Sequence, residues 1–352
     1  MSAQPSLFQP SPPALETLSA CPTCLSGSSV ILYESLNDRI FGVPGTWSMW
    51  RCRECDVAFL NPRLTPEAIG SAYRDYYTHS PAARPSLRLR FREAVMRSYA
   101  KRQLGATSAP HLAWAEWIVR WLSPGLVKHV AAQYRYLPRQ QPGALLLDIG
   151  CGNGEFLSKV RALGWRAVGL EFDPKACAVG SSRGLQIVRG SVPNTPFESE
   201  SFDAITLHHV IEHVHDPRAV LDELLRLLKP GGTIVLTTPN WQSCGAAFFG
   251  AAWRGLEPPR HLVLFTPDAL LRLVRDIGFV NAEIRVRPEL AYSYFEQSYR
   301  IANSSLSSPT QLPEELPEEI TREVNQAVAA ASRNSRHAEE FTLIAAKPRA
   351  TV

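Results

Sequence analysis

An apolar stretch running into Asp148-Ile-Gly150-Cys151-Gly152-Asn-Gly154 leaves few folds open to this chain. Ala144–Ile149 reads as a buried strand, entered from a Pro142-Gly143 turn. Gly150 and Gly152 let the backbone turn sharply and approach a ligand with no Cβ in the way. Gly154 lets a helix begin close by, with free N–H groups suited to a carboxylate or phosphate. Strand, glycine loop and helix in that order open a doubly wound α/β fold. The loop alone names no cofactor. A plain turn would satisfy it, and so would a dinucleotide site, although that site wants G-x-G-x-x-G where this chain has G-x-G-x-G after Asp148.

Beyond the loop, helical and extended patterns keep alternating. Helices are expected at Gly154–Leu163, Lys175–Arg183 and Arg218–Leu228, the last capped by Asp216-Pro217 and stopped by Lys229-Pro-Gly-Gly232. A further one runs from Thr266-Pro267-Asp268 to Gly278. Strands are expected at Ala167–Phe172, Gln186–Val188, Phe202–Leu207, Thr233–Thr238, Ala282–Val286 and Phe341–Ala346. With Ala144–Ile149 they make a doubly wound, seven-stranded, mostly parallel sheet. An insertion at about 288–338 carries an acidic helix near Pro313 to Ala331.

Ahead of this domain, residues 1–18 are rich in Pro, Ser and Gln and read as a disordered lead-in. Residues 19–62 hold two CxxC pairs and form a small module; residues 63–141 read as a helical linker, and 142–352 as the main domain. Thr65-Pro66-Glu67 has the pattern of a helix start. Trp114, Trp117 and Trp121 share one helical face, which packs on the main domain or serves as a lid or membrane-surface stripe. The net charge of +4 is too small to imply nucleic acid, but Arg84, Arg88, Arg90, Arg92, Arg97, Lys101 and Arg102 cluster against a single acid, Glu93. That cluster is a solvated helical face or a site for an anionic acceptor. The N-terminus lacks the basic and apolar regions of a signal peptide, and the longest uncharged apolar piece, Gly245–Trp253, is far too short to span a membrane. With an odd count of seven cysteines, a reducing cytoplasm is expected.

The second strand ends in Glu171-Phe172-Asp173, placing an acid where ribose hydroxyls are held in such sheets. Glycine loop and acid together point to a nucleotide cofactor. At these residues the chain resembles class I methyltransferases, whose motif order it follows over about 144–281 and in the last strand. Ser201-Phe-Asp-Ala-Ile-Thr-Leu-His208-His209-Val-Ile-Glu212-His213-Val-His-Asp-Pro217 is similar to the fourth-strand signature of the quinone O-methyltransferase branch, as are Leu227–Gly232, Thr238-Pro-Asn240, Arg260-His261-Leu and Phe265-Thr266. The resemblance implies S-adenosylmethionine as cofactor. It would be contacted by Asp148, Gly150, Cys151, Gly152, Gly154, Glu171, Phe172, Ser191, Val192 and His208, with Glu171 on the ribose and the Gly190–Val192 segment on adenine. This chain has Ser191 where the family often has an acid, and His209 where the quinone branch has one.

Cys21, Cys24, Cys52 and Cys55, with twenty-seven residues between the pairs, offer four thiolates at the spacing of a closed tetrahedral zinc site. Such a site would be structural. A redox dithiol is the alternative. Arg51 and Arg53 flank the second pair and would help hold the thiolates, whereas Cys151, Cys177 and Cys244 read as ordinary thiols. Similar modules precede sugar C-methyltransferases, and Leu60-Asn61-Pro62-Arg63 also resembles that group.

Methyl transfer to oxygen or carbon needs a base for the acceptor's proton, and histidine suits neutral pH. His209 and His213, four apart, would share a helical face, and His261 is a further candidate; alternatively His213 and Glu212 brace the loop before Asp216. The expectation is a methyltransferase acting on a small molecule (sugar, quinone-like, polyketide or lipid-linked, with anionic and carrier-bound forms included). The competing classes are a cofactor-binding protein without catalysis and a nucleic-acid methyltransferase. The latter is disfavoured because basic and aromatic residues do not interleave.

Overall fold

The structure is a computed structural model that describes residues 14–73, 131–139, 141, 143–303 and 315–349. The Arg84–Arg102 cluster, the tryptophan stripe and most of the expected 63–141 linker lie outside the described residues.

Within the expected lead-in, residues 14–18 are described and carry a short strand. Strand β1 (Leu15–Glu16) pairs antiparallel with β5 (Arg63–Leu64). The pairing is fixed by Arg63, whose guanidinium reaches Glu16 at 2.7 Å and the His215 carbonyl at 2.9 Å. Between them β2 (Ser29–Leu36), β3 (Trp47–Cys52) and β4 (Ala58–Leu60) form an antiparallel meander. The helix expected after Thr65 is a turn followed by a 3-10 helix, Ile69–Tyr73. Gly70 weakens helix formation there.

The main sheet follows the expected alternation: β6 (Leu145–Ile149), α1 (Glu155–Arg161), β7 (Arg166–Glu171), α2 (Pro174–Ser182), β8 (Gln186–Arg189), β9 (Phe202–His208), α3 (Pro217–Leu227) and β10 (Leu228–Pro239). Then come α4 (Cys244–Phe249), β11 (Val263–Leu264), α5 (Pro267–Ile277), β12 (Val280–Val286), α6 (Ala291–Asn303), α7 (Glu318–Arg333) and β13 (Glu340–Ala346). Asp173, Asp216 and Thr266 each cap a helix with proline in its first turn, and Gly278 ends α5 in the left-handed conformation. The sheet order is β12-β13-β10-β9-β6-β7-β8, with β13 antiparallel to both neighbours. Strand order reverses between β6 and β9, so the crevice for a ligand opens at their carboxyl ends.

The cysteine region shares both its sheet and its core with the main domain. Its fourth strand is β11, which pairs with β4 in the order β11-β4-β3-β2. Trp47, Met49 and Phe59 bury into the same core as Leu147, Leu207, Leu236 and Phe265. About forty residues cannot bury a sufficient core alone, and here the main domain supplies the rest. The 288–338 insertion forms α6 and α7, which pack on α4 through Phe295, Val324 and Phe249. No helix among the described residues is long and apolar enough to cross a membrane.

Candidate active site

The cofactor loop is shaped by its own backbone. Gly150, Gly152 and Gly154 all take positive φ, and a Cβ on Gly150 would lie 2.6 Å from the Val210 side chain, while the space at Gly152 is open. Gly150 N–H donates to the Leu170 carbonyl at 2.8 Å, which also faces Cys151 N–H at 3.4 Å. Glu171, almost fully buried, accepts from Gly152 N–H at 2.8 Å and Asp173 N–H at 3.0 Å. Two backbone bonds leave the carboxylate further lone pairs, and Phe172, half exposed, stands beside it. Gly190 N–H meets the Glu171 carbonyl at 3.0 Å, which brings the Ser191–Val192 segment alongside.

Asp148 is wholly buried; its Oδ1 accepts from Thr206 at 2.7 Å and pairs with Arg135. Its Oδ2 is buried with no hydrogen-bond partner among the described residues. An orphan carboxylate oxygen under a glycine loop is what a polar or cationic ligand there would satisfy, so these residues fit S-adenosylmethionine. Burial raises the Asp148 carboxyl above its usual range, opposed by Arg135 and Thr206. Sequence reasoning misses Arg135, whose guanidinium lies 3.7 Å over the Phe156 ring. No local motif marks it.

On the other side of the crevice the histidines converge, but not on one helix. His208 ends β9, His209 is left-handed (φ 53°), and His213 ends a 3-10 turn (Ile211–His213). Both His209 nitrogens face carboxylates: Nδ1 lies 3.0 Å from Glu212 and Nε2 3.2 Å from Glu340. Both must therefore carry protons. Burial alone would lower its pKa, yet the hydrogen bonds from the two carboxylates raise it to about 10. Glu212 and Glu340 fall to about 2 despite burial, chiefly through His209. The chain of contacts continues to the Thr238 hydroxyl at one end and Arg287 at the other. With both ring nitrogens on carboxylates, His209 offers neither to an acceptor's proton. Its neighbour His208 is kept neutral by burial and by the doubly protonated His209.

His261 is buried, with Nδ1 donating to the Gly255 carbonyl at 2.7 Å and burial pulling its pKa to about 4. His213 differs. Its Nδ1 lies 3.0 Å from the Arg260 carbonyl and 3.0 Å from the Tyr73 hydroxyl, and its ring meets His261 edge-on at 4.8 Å. A carbonyl can only accept, so Nδ1 carries the proton and Nε2 keeps a lone pair.

Arg260 joins this site to the N-terminal region. Fully buried, its guanidinium pairs bidentately with Asp38 at 2.8 and 3.0 Å and bonds Glu257 at 2.9 Å and the Ala72 carbonyl at 3.4 Å. It also lies over the Phe41 ring. Glu257 pairs with Arg254 in turn. Tyr294 of α6 stacks on Trp253 and stays a neutral phenol through burial. Asp38, Tyr73, Arg254, Glu257 and Tyr294 escape a sequence reading because nothing local distinguishes them.

Cys21, Cys24, Cys52 and Cys55 bring their sulfurs within 4.8 Å of one another, with Cys21–Cys55 and Cys24–Cys52 at 3.5 Å. A tetrahedral zinc–sulfur site with bonds of about 2.3 Å puts its sulfurs about 3.8 Å apart, so the donor set fits. Cys21 is drawn down to about 5, first by its hydrogen bond with Cys55. Arg51 does not hold the thiolates as expected. It turns to Asp56 at 2.6 Å and over the Trp241 ring, because that acid follows the knuckle directly.

A methyltransferase-domain family profile matches residues 128–284. A ubiquinone biosynthesis O-methyltransferase of Cereibacter sphaeroides is 34% identical over 200 residues, spanning 52% of this chain and 78% of that protein. A demethylmenaquinone methyltransferase of Clavibacter sepedonicus is 36% identical over 99 residues, 27% of this chain and 40% of that one. Among solved structures, an S-adenosylmethionine-dependent methyltransferase from Archaeoglobus fulgidus aligns at 21% identity and a TM-score of 0.44, over 66% of this chain and 99% of that one. Glycine loop, buried Glu171 and histidine turn thus stand in a chain that belongs to the class I S-adenosylmethionine-dependent methyltransferases and is an enzyme of that family.

Proposed function

We propose that this enzyme methylates an oxygen or carbon nucleophile of a small-molecule acceptor, with His213 as the base. The observation that carries this reading is the Arg260 carbonyl on His213 Nδ1, which leaves Nε2 to take a proton. His209 is committed to two carboxylates, and His261 is more deeply buried. Asp148 Oδ2, the Gly150–Gly154 backbone and the remaining lone pairs of Glu171 would hold S-adenosylmethionine, with Phe172, Ser191, Val192 and His208 around it. Bound there, the cofactor supplies a methyl group already activated on a sulfonium. The residues have only to align the acceptor, exclude water and receive its proton.

A quinol-like acceptor is the first class to test, since relatives that align with this chain are named for ubiquinone and menaquinone chemistry. The four cysteines would hold a structural Zn2+ that staples the N-terminal strands to the main domain. The Arg84–Arg102 cluster, and with it an anionic or nucleic-acid acceptor, lies outside the described residues and lends no support either way.

The test is isotope-labelled S-adenosylmethionine offered with quinols, sugars, polyketide and lipid-linked acceptors, products being read by mass spectrometry. Label should enter one class, and a quinol is expected. Label passing only to nucleic acid would overturn the small-molecule reading.

A further inference from the structure

We infer that Tyr294, on the insertion helix α6, donates a hydrogen bond to the acceptor and so helps select which small molecule the site takes. This rests on the small-molecule reading above. Phe295 turns into the insertion's own core with Val324. Tyr294, one residue earlier and about 100° around the helix, packs against the main core instead. Its ring stacks on Trp253 with centroids 6.2 Å apart and planes 26° from parallel. Trp253 is itself buried, its indole N–H on Glu339 at 3.0 Å, so the phenol has a fixed backing. Arg254 ties the helix to the histidine turn. Its backbone N–H donates to the Ser298 hydroxyl at 2.9 Å and its Nε–H to the Gln297 side-chain oxygen at 2.9 Å. Arg254 pairs with Glu257, Glu257 accepts from Arg260, and the Arg260 carbonyl faces His213.

The acids around this phenol are already committed. Glu212 and Glu340 hold His209 between them, Thr238 donates to the first and Arg287 to the second, and Glu339 holds Ser243 and Trp253. The Tyr294 hydroxyl stands in the field of Glu340, Arg254, Glu212 and Glu339, yet makes no hydrogen bond to a described residue. Nor is it sealed: the residue is half-buried and its oxygen keeps accessible surface. A rigid hydroxyl without a partner in such surroundings is what a ligand atom would complete. Burial and the neighbouring acids keep the phenol protonated, so it enters as a donor. An acceptor with no oxygen or nitrogen at that point leaves it unpaired and binds less well.

The test is the binding of nitrocatechol, a coloured aromatic diol, to the full chain loaded with S-adenosylhomocysteine, read by absorbance. The wild type should bind it, and Tyr294→Phe should raise the Kd about 3–10-fold, the worth of one hydrogen bond. Because the lost hydroxyl has no partner among the described residues, melting temperature and cofactor affinity should stay as they are. Tyr292→Phe, which removes a phenol of the same helix that donates to Asn325, should leave the Kd unchanged. Equal Kd in wild type and Tyr294→Phe would overturn the role of Tyr294 while the small-molecule reading stands. A Tyr294→Phe that unfolds or melts well below wild type would show a structural hydroxyl and overturn it too. A wild type that binds no nitrocatechol would remove the quinol-like acceptor, and this inference with it.

Discussion

On the β6–β7 side of the crevice the glycine loop is held within one strand-helix-strand unit, by partners no more than twenty residues away: Gly150 N–H on Leu170, Gly154 N–H on Cys151, Gly152 N–H on Glu171. On the β9–β10 side the histidine turn is held by side chains and carbonyls from distant segments. Arg260 comes from the loop before β11, Tyr73 from the end of the N-terminal strands, Glu340 from the last strand. One half is a local backbone fold with a carboxylate clasp. The other is an assembly, and any one of its contributors can be removed by a single substitution. The cofactor side should therefore lose affinity in small steps, and the acceptor side should fail abruptly.

His213→Gln is the severest test of that asymmetry: kcat should fall about 10²–10⁴-fold with cofactor affinity unchanged, as loss of a general base does. Single-turnover kinetics and calorimetry on the same sample would show it, and unchanged kcat would break the assignment. Asp38→Ala should cost about 3–5 kcal/mol of stability, because it leaves the Arg260 guanidinium buried without its bidentate partner. Denaturant unfolding reads this directly, and a cost under about 1 kcal/mol would mean the N-terminal strands are not locked through that pair. Glu171→Ala should weaken cofactor binding by about 1.5–3 kcal/mol, the range for hydrogen bonds to a charged group. A loss far beyond that would show the loop collapsing with its clasp.

The mildest effect concerns pH. The folded pKa of His209 is raised to about 10 from an ordinary 6.5, so its contribution to stability is complete below about pH 6.5 and is lost as pH climbs toward 10. Glu212 and Glu340, lowered to about 2, contribute above about pH 4.5 and lose that contribution as pH falls toward 2. Thermal melting should thus decline from pH 6.5 to 10 in the wild type. His209→Gln should melt lower throughout and flatten that decline. A slope unaltered by the substitution would show that His209 is not charged.

Legibility in the sequence divides along the same line. The strand into Asp148–Gly154 and the caps at Asp216 and Thr266 have cause and effect within a few residues, and the acid at Glu171 lies one strand later, nineteen residues from the Gly152 it clasps. The four cysteines are legible because spacing alone states their geometry. Asp38 meets Arg260 across 222 positions and Tyr73 meets His213 across 140, separations at which no pattern survives. His209 departs from its expected place on a helical face shared with His213 for a subtler reason. A spacing of four suggests one helical face only if the residues are helical, and a left-handed residue before a 3-10 turn sends its ring between two acids instead.

The pairing of β4 with β11 also sets an order of events during synthesis. β2, β3 and β4 leave the ribosome roughly two hundred residues before Val263–Leu264 can cover the open edge of β4. Until then that edge presents unpaired N–H and C=O groups to any strand nearby. Metal capture by the four cysteines would need only residues 21–55, so it can hold the early strands together through this interval. The nascent chain is most exposed to mispairing between the fourth cysteine and β11; on the proposal that the four cysteines bind zinc, scarce zinc during translation should lower the yield of folded enzyme more than chelation after folding.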